Sequence, residues 1–225
     1  MVSALGGEAG SLPTYAWDIG LYSLTDAVQY SGIPMSTVSR WLDPRPEGVR
    51  DDLVTFDEFV TLLFVRQLRK NVRLKDIREA EKDLQARTGH RHPFVHETLW
   101  VAGHDVMVRV SDSSDAFLSA NRRGQLAMTG VLEAQRVELP NLVADVRGQL
   151  GYDDGRVTVW RPVERIAARP AVQFGLTCVD GTRLTTRTIF EIAEAGDKPA
   201  SIARLFEVTE TDVARAIAWE RRLAA

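Results

Sequence analysis

The stretch that decides the N-terminal fold is Tyr22–Trp41, YSLTDAVQYSGIPMSTVSRW. Ser23 followed by Asp26 has the spacing of a capping box, which predicts a short helix. Gly32 and Pro34 then interrupt that helix, because glycine permits a positive φ and proline cannot continue the hydrogen-bond ladder. A second short helix is predicted after the proline. Two short helices joined by a glycine-containing turn indicate a helix-turn-helix unit.

The next segment adds a second helix pair. Thr55 and Glu58 have capping-box spacing, and apolar residues three or four positions apart predict an amphipathic helix over 56–68. Further apolar residues off that face indicate a helix that is buried on two sides. This helix and the apolar C-terminal helices are both candidate dimer interfaces, and the sequence does not choose between them. Another helix is predicted over 74–87, with Gly89 as its stop.

The middle of the chain alternates apolar runs with short turn sequences and therefore predicts antiparallel hairpins. An Asp-Gly pair at 154–155 is the strongest of these hairpin signals. The predicted strands lie at 94–101, 106–110, 117–119, 125–128, 150–152 and 157–160. Residues 130–138 are predicted to be helical. Residues 161–170, with two prolines and three arginines, are interpreted as a linker.

The C-terminal part predicts a strand near Cys178 and then three helices, the last of them capped by Thr209 and Asp212. The fold class is therefore α+β, with an N-terminal helix-turn-helix, middle β-hairpins and a C-terminal three-helix domain of helix-turn-helix type. The predicted divisions are a loose N-terminal segment at 1–21, a helix-turn-helix domain at 22–92, a hairpin-rich region at 93–162 and a helical domain at 163–225.

Composition narrows the function classes. The chain has 225 residues, a net charge of −3 and a single cysteine, so a disulfide framework and a cysteine-based zinc site are excluded within one chain. The longest apolar run has four residues, so no membrane contact is predicted and we expect a cytoplasmic location. His90, His92 and His96 lack metal-site spacing, and no phosphate loop or nucleophile elbow is present. We therefore expect no enzyme activity, no cofactor and no metal.

Charge is concentrated in one helical region. Residues 60–91 hold nine cations and four anions, a local net charge of +5, which suits either a phosphate backbone or a solvated helix face. Two helix pairs have helix-turn-helix spacing, and the start of the second helix distinguishes them. The first pair offers hydroxyls and Arg40, whereas the second offers Glu210 and Asp212, which phosphates would repel. The first pair is therefore the predicted DNA reader.

The N-terminal motifs resemble the start of MerR-like winged helix-turn-helix domains. The resemblance rests on 22–27, 32–34 and 37–41 and continues through 56–59 and 65–78. It implies a DNA-binding domain whose second helix enters the major groove while cations of the next helix pair contact phosphates. The predicted DNA-binding residues are Ser36, Thr37, Ser39, Arg40, Arg69, Lys70 and Arg73.

The C-terminus is similar to a small uncharacterised bacterial domain in which a Gly-Thr-Arg element, here Gly181–Arg183, precedes three helices. Many members of that family are encoded beside PIN-domain toxin genes, so the two resemblances together imply a VapB-type antitoxin. Such an antitoxin neutralises a PIN-domain ribonuclease toxin and binds its own operator DNA, and we expect it to be a homodimer. The predicted toxin-binding residues are Arg183, Arg187, Arg215, Arg221 and Arg222.

Two alternatives stay open. A stand-alone MerR-like transcriptional regulator would sense a small molecule and have no toxin partner. The Gly-Thr-Arg element also has a structural interpretation, because its glycine supplies a turn and its polar side chains can tie the strand to the next helix. An adjacent PIN-domain reading frame would favour the antitoxin.

Overall fold

The computed structural model describes residues 19–42, 53–96, 99–102, 105–109, 117–120, 125–127 and 144–224. Within these ranges the chain is α+β, as the sequence predicts. Residues 1–18 and the helix predicted at 130–138 lie outside the described residues. None of the helices in the described ranges is both long enough and apolar enough to cross a membrane.

The helices and strands are named here in chain order. The helices are α1 (Leu24–Ser31), α2 (Met35–Trp41), α3 (Phe56–Leu68), α4 (Leu74–Thr88), α5 (Pro93–His96), α6 (Ala144–Gly148), α7 (Thr186–Glu194), α8 (Pro199–Leu205) and α9 (Glu210–Ala224). The strands are β1 (Tyr22–Ser23), β2 (Leu53–Val54), β3 (Leu99–Ala102), β4 (Asp105–Arg109), β5 (Phe117–Ser119), β6 (Gln125–Ala127), β7 (Leu150–Asp153), β8 (Arg156–Val163), β9 (Ile166–Arg169) and β10 (Val172–Val179).

All strand pairs in the described ranges are antiparallel. β1 pairs with β2, which brings the start of α1 beside the start of α3. The middle strands form a sheet of order β3-β4-β5-β6, and the later strands form a second meander of order β10-β9-β8-β7. Because each strand pairs with its neighbour in sequence, both larger sheets are built from successive hairpins. The turn signals predict three of these hairpins, β3–β4, β5–β6 and β7–β8.

The predicted capping boxes are confirmed at both N-terminal helices. At α1 the Ser23 hydroxyl accepts from the Asp26 amide, and the Asp26 carboxylate accepts from the Ser23 amide at 3.0 Å. At α3 the Thr55 hydroxyl accepts from the Glu58 amide, and the Glu58 carboxylate accepts from the Thr55 amide at 2.8 Å. Each box satisfies two backbone donors that the helix itself leaves unpaired, so it fixes where the helix begins.

Helix α3 is the central element of the core. Nearly all of its side chains are buried, with only Asp57 and Arg66 reaching the surface to a larger extent. The two-sided apolar pattern is therefore satisfied inside one chain, and the proposal that this helix forms a dimer interface is wrong. The C-terminal helices stay as the predicted interface.

The interpretation of 161–170 as a linker is wrong. Residues Arg156–Val163 and Ile166–Arg169 are strands β8 and β9, so the sheet continues through the predicted boundary at 162/163. The register between these strands shifts beyond Trp160, and Pro162 lies in that irregular part of β8, where a missing amide hydrogen is tolerated. The strand predicted over 94–101 is also shorter than expected, because Pro93 begins the helical turn α5 and β3 starts at Leu99.

An aromatic cluster joins the N-terminal helices to the C-terminal sheet and helices. Trp160 of β8 packs against Phe59 of α3 and Tyr30 of α1, with ring centroids 4.9 Å and 5.9 Å away. Trp219 of α9 lies 5.7 Å from Trp160 on another side. All four rings are buried, so the two parts share one hydrophobic core.

Ion pairs connect the second sheet to its surroundings. Arg165, in the β8–β9 turn, contacts the Asp212 carboxylate at the start of α9 with two nitrogens, at 3.0 Å and 3.3 Å. Burial alone would raise the pKa of Asp180, but hydrogen bonds from Arg169 and Arg161 outweigh it and hold that pKa below its usual range. These arginines are held by carboxylates of their own chain, so they are structural groups.

Candidate functional site

Helix α2 presents a polar face to solvent and an apolar face to the core. Ser36, Ser39 and Arg40 are exposed, whereas Val38 and Trp41 are buried. The Ser39 hydroxyl donates to the Met35 carbonyl at 3.0 Å and keeps its lone pairs toward solvent. The structure therefore brings three of the predicted DNA-binding side chains together on one accessible helix face.

Thr37 has a different environment from its predicted partners. Its side chain belongs to the buried face, with 9% of the residue exposed, and its hydroxyl accepts from the Arg69 guanidinium at 3.4 Å. The Arg69 side chain at the end of α3 thus lies beside α2. Thr37 is placed to orient Arg69, and Arg69 is the exposed group of that pair.

The other two residues predicted to contact phosphates, Lys70 and Arg73, lie in different environments. Arg73 forms an ion pair with Asp76 at 2.7 Å, and the hydrogen bond that its guanidinium donates to this carboxylate raises the pKa of Arg73. Lys70 is exposed and lines a cleft toward Trp160 of β8. The +5 region therefore does not form one continuous phosphate-facing stripe.

Sequence reasoning missed a contact that fixes the end of α2. The Arg78 guanidinium of α4 donates to the Arg40 carbonyl and lies over the Trp41 ring, 5.2 Å from its centroid. A cation above an aromatic face is attracted by the ring quadrupole. Arg78 therefore holds the second helix of the pair against α4. The basic composition of this stretch was the available signal, but it gave no reason to single out Arg78.

Three of the five predicted toxin-binding arginines are paired within the chain. Arg187 contacts Glu191 at 2.9 Å, and Arg215 contacts Glu164 at 2.6 Å. The third contact joins Arg221 to Glu194 at 3.4 Å.

The other two predicted toxin-binding arginines, Arg183 and Arg222, form no such ion pair among the described residues. The guanidinium of Arg222 lies over the Trp219 ring at 4.1 Å from the centroid. Arg183 is exposed, and its side chain makes no ion pair among the residues that the structure describes. The five guanidinium groups therefore have three kinds of environment: ion-paired, stacked on an aromatic ring and exposed.

The Gly-Thr-Arg element is built as a turn. Gly181 has a φ of 86°, which glycine adopts without steric strain. The Thr182 hydroxyl donates to the Val179 carbonyl at 2.8 Å and accepts from the Leu184 amide at 3.0 Å. Glycine and threonine thus have the structural role considered from the sequence, which leaves Arg183 as the exposed member.

A left-handed bulge in β10 projects an aromatic side chain into solvent. Gln173, Phe174 and Gly175 all have positive φ, at 48°, 53° and 79°, and the pairing of β10 with β9 shifts register across them. Phe174 is 76% exposed. The Gln173 side-chain amide donates to the Arg183 carbonyl at 3.0 Å, which places the bulge beside the exposed arginine. A glycine inside a strand pattern indicates such a bulge, but none was predicted from the sequence at Gly175.

Two of the three histidines considered from the sequence pack against each other. His90 and His96 stack with ring centroids 4.2 Å apart. Burial and the neighbouring His90 lower the pKa of His96. Among the described residues, no three His, Cys, Asp or Glu side chains come close enough to hold a metal ion.

Comparison with known proteins separates the C-terminal segment from the rest. Residues 166–219 match a family described as a protein of unknown function, DUF433. This match supports the similarity of the C-terminus to a small uncharacterised domain. No curated protein matches the chain.

The whole described architecture has a solved counterpart. The crystal structure of Rv2018 from Mycobacterium tuberculosis is similar, with a TM-score of 0.58 and 15% sequence identity. The similarity covers 89% of this chain and 99% of that chain. At this level of identity, the comparison shows a shared fold.

Proposed function

We propose that this chain is an antitoxin of the VapB type that binds its operator DNA through a MerR-like helix-turn-helix and neutralises a PIN-domain ribonuclease through its C-terminal domain. The observation that carries the proposal is that one chain presents two separate exposed surfaces of different chemistry. One is the hydroxyl- and arginine-bearing face of α2, and the other is the aromatic bulge of β10 beside Arg183.

The α2 face has the chemistry of a major-groove reader. Ser36 can donate to phosphate or base edges, Ser39 can accept from a base amino group, and Arg40 can bridge guanine with two parallel hydrogen bonds. The face carries no carboxylate, so phosphates meet no repelling charge. Arg69 adds a cation beside the helix. Capping of α1 and the Arg78 contact hold this face rigidly, as a specific reader requires.

The β10 bulge has the chemistry of a protein-docking anchor. Aromatic residues and arginines dominate the binding energy of protein interfaces, and Phe174 and Arg183 provide one of each. Arg183 can approach a cluster of metal-binding carboxylates without first leaving an ion pair of its own chain. The DUF433 match at 166–219 includes both residues. Many members of the family that the C-terminus resembles are encoded beside PIN-domain toxin genes, and this resemblance supports a PIN-domain partner.

The DNA half is tested by fluorescence anisotropy with a duplex covering the region upstream of the gene. Arg40→Ala is expected to cost about 1–3 kcal/mol of discrimination against random DNA. Arg69→Gln is expected to weaken binding to all sequences and to reduce the salt slope by about 1. Arg87→Ala is the matched control, because Arg87 is engaged with Asp83 on α4. Unchanged operator binding in Arg40→Ala contradicts the base-reading role.

The toxin half is tested by co-purification with the PIN-domain product of the neighbouring gene, followed by RNA cleavage in Mg²⁺. Phe174→Ser and Arg183→Gln are expected to reduce inhibition by about tenfold or more, since each removes an interface anchor. Leu205→Ser is the matched control, because Leu205 is a 69% exposed apolar residue on α8. Equal loss in all three variants, or RNA cleavage by the isolated chain, contradicts the proposal.

The homodimer is part of the same proposal. A dimer reads two half-sites about one helical turn apart and so buries more DNA surface than one domain. With α3 enclosed in the core, the C-terminal helices are the proposed contact. Light scattering at working concentration tests it, and a mass near 25.1 kDa would exclude the dimer.

A further inference from the structure

A cleft of about 260 Å³ opens where α1, α3, α6, β8 and α9 meet. Its inner wall includes the buried rings of Tyr30 and Trp160. Side chains from three distant parts of the sequence supply its polar lining: Arg66, Gln67, Lys70, Asp145, Gln149 and Arg222. The cleft therefore exists only in the folded chain, between the N-terminal helices and the C-terminal helix.

The charges around the cleft do not balance. Arg66, Lys70 and Arg222 face a single carboxylate, Asp145. In the described ranges, none of these three cations forms an ion pair. The contrast with the surrounding arginines is marked, because each of the following is paired with a carboxylate: Arg161, Arg165, Arg169, Arg187, Arg215 and Arg221.

Like charges approach one another in the cleft. Burial and the charge of Arg66 both lower the pKa of Arg222, so the two guanidinium groups repel across the opening. Stacking on Trp219 fixes the Arg222 guanidinium at the rim in spite of that repulsion. An anion placed between the two groups would be attracted to both and would relieve their repulsion.

Neutral donors add to the cations. The Gln149 side-chain oxygen accepts from the Trp160 indole at 3.1 Å, which orients the amide and leaves its nitrogen available as a donor. Gln67 contributes a second amide to the lining. Guanidinium groups bind oxyanions with two parallel hydrogen bonds, and a lysine adds a point charge. The volume lies just below the range of about 300–1,000 Å³ that is usual for drug-sized ligands, so the occupant must be small.

We propose that this cleft binds a small multivalent oxyanion, either a free phosphate species or the phosphate group of a small metabolite. The ligand is held between Arg66 of α3, Lys70 just after the end of α3 and Arg222 of α9. It ties the helix that ends beside the α2 face to the C-terminal domain. The proposal does not rest on the antitoxin assignment, because neither Arg40 nor Phe174 lines the cleft.

Isothermal titration of the full chain with sodium pyrophosphate tests the site at constant ionic strength, maintained with sodium chloride. Saturable binding near one ligand per chain is expected. Arg66→Gln and Arg222→Gln are each expected to weaken it by about tenfold or more, which corresponds to about 1.4 kcal/mol. Arg87→Gln and Arg221→Gln are the matched controls, since each arginine is paired with a carboxylate and lies outside the lining.

A conservative variant, a folding control and a second ligand complete the experiment. Arg222→Lys retains the charge and loses the bidentate geometry, so intermediate affinity is expected. Circular dichroism establishes that every variant is folded. A glycerol phosphate arm distinguishes a phosphate ester from the free anion.

Absence of saturable binding would overturn the proposal, as would equal losses in controls and cleft variants. Weaker binding of random duplex DNA by Arg222→Gln, without pyrophosphate binding, would assign the cleft to a DNA phosphate instead.

Discussion

The Tyr22 hydroxyl donates to the Gly175 carbonyl at 2.9 Å, across 153 positions of sequence. Tyr22 opens the N-terminal helical region, and Gly175 belongs to the bulge that presents Phe174. The hydrogen bond is buried, and the tyrosine ring packs 4.9 Å from Phe59 of α3. One side chain therefore joins the central helix to the proposed docking surface, so the geometry of that surface depends on the N-terminal fold.

Removing this hydroxyl should destabilise the whole chain. Tyr22→Phe keeps the ring and leaves the Gly175 carbonyl without its buried donor, so we expect a loss of about 1–3 kcal/mol in the free energy of unfolding. Guanidinium denaturation measures it. Tyr152→Phe is the control, because the Tyr152 hydroxyl lies 3.4 Å from the Val95 carbonyl on a partly exposed side chain. The free energy of unfolding of Tyr152→Phe is expected to change by no more than about 0.5 kcal/mol. Equal changes in the two variants would contradict the special role of Tyr22.

The bulge itself should reject a side chain at Gly175. A β-carbon there would lie 2.6 Å from the Tyr22 hydroxyl oxygen, and the residue has a φ of 79°. Gly155 has a similar φ of 71° but no atom within 4 Å of such a carbon. Gly155→Ala therefore measures backbone strain alone, at about 1 kcal/mol. Gly175→Ala should lose about 1–3 kcal/mol more through overpacking. Thermal unfolding of both variants compares them, and equal midpoints would show that the bulge relaxes.

Local signals in the sequence predicted the helix starts and the β7–β8 hairpin, but not the continuation of the second sheet through β9. Both capping boxes involve residues three positions apart, so a short stretch contains the whole interaction. The end of β8 and the whole of β9 were missed because Pro162 and Pro170 indicate a break, while the hydrogen bonds that override them come from neighbouring strands.

The candidate sites also divide into one that local sequence patterns predict and one that they do not. The exposed face of α2 follows from helical periodicity. In contrast, no local pattern relates Arg66 to Arg222, because folding alone brings them to one cleft. The pairing of Arg187, Arg215 and Arg221 with carboxylates also depends on tertiary contacts or on rotamers that the sequence leaves open.

Asp212 should contribute stability that acid removes. The Arg165 hydrogen bond holds the pKa of Asp212 below its usual value, although burial opposes it. A depressed carboxyl pKa stabilises the fold above the unfolded value of about 3.9, and this contribution is lost as the pH falls through the lower folded pKa. Asp212→Asn should therefore be less stable than the native chain at pH 7, and the difference should shrink in acid.

The measurement is denaturation over a pH series, with Glu191→Gln as the control. Glu191 pairs with Arg187 on the exposed side of α7, so its loss should change stability by no more than about 0.5 kcal/mol at any pH. A stability difference for Asp212→Asn that stays constant into acid would exclude the carboxylate charge as its source.

Cys178 should be silent toward thiol reagents until the C-terminal sheet opens. The residue is 2% exposed in β10, and burial raises the pKa of its thiol to about 11. At pH 8 this shift alone lowers the reactive thiolate fraction by about two orders of magnitude relative to an ordinary cysteine. Because the unfolded thiol ionises first, this group also makes the fold less stable as the pH rises above about 8.5.

Since the chain has one cysteine, absorbance of the released thiol reports this site alone. We expect slow labelling by a disulfide reagent in native buffer and prompt stoichiometric labelling in guanidinium, with none in Cys178→Ser. Prompt labelling of the native chain would show that β10 opens readily and would contradict the packing of its inner face.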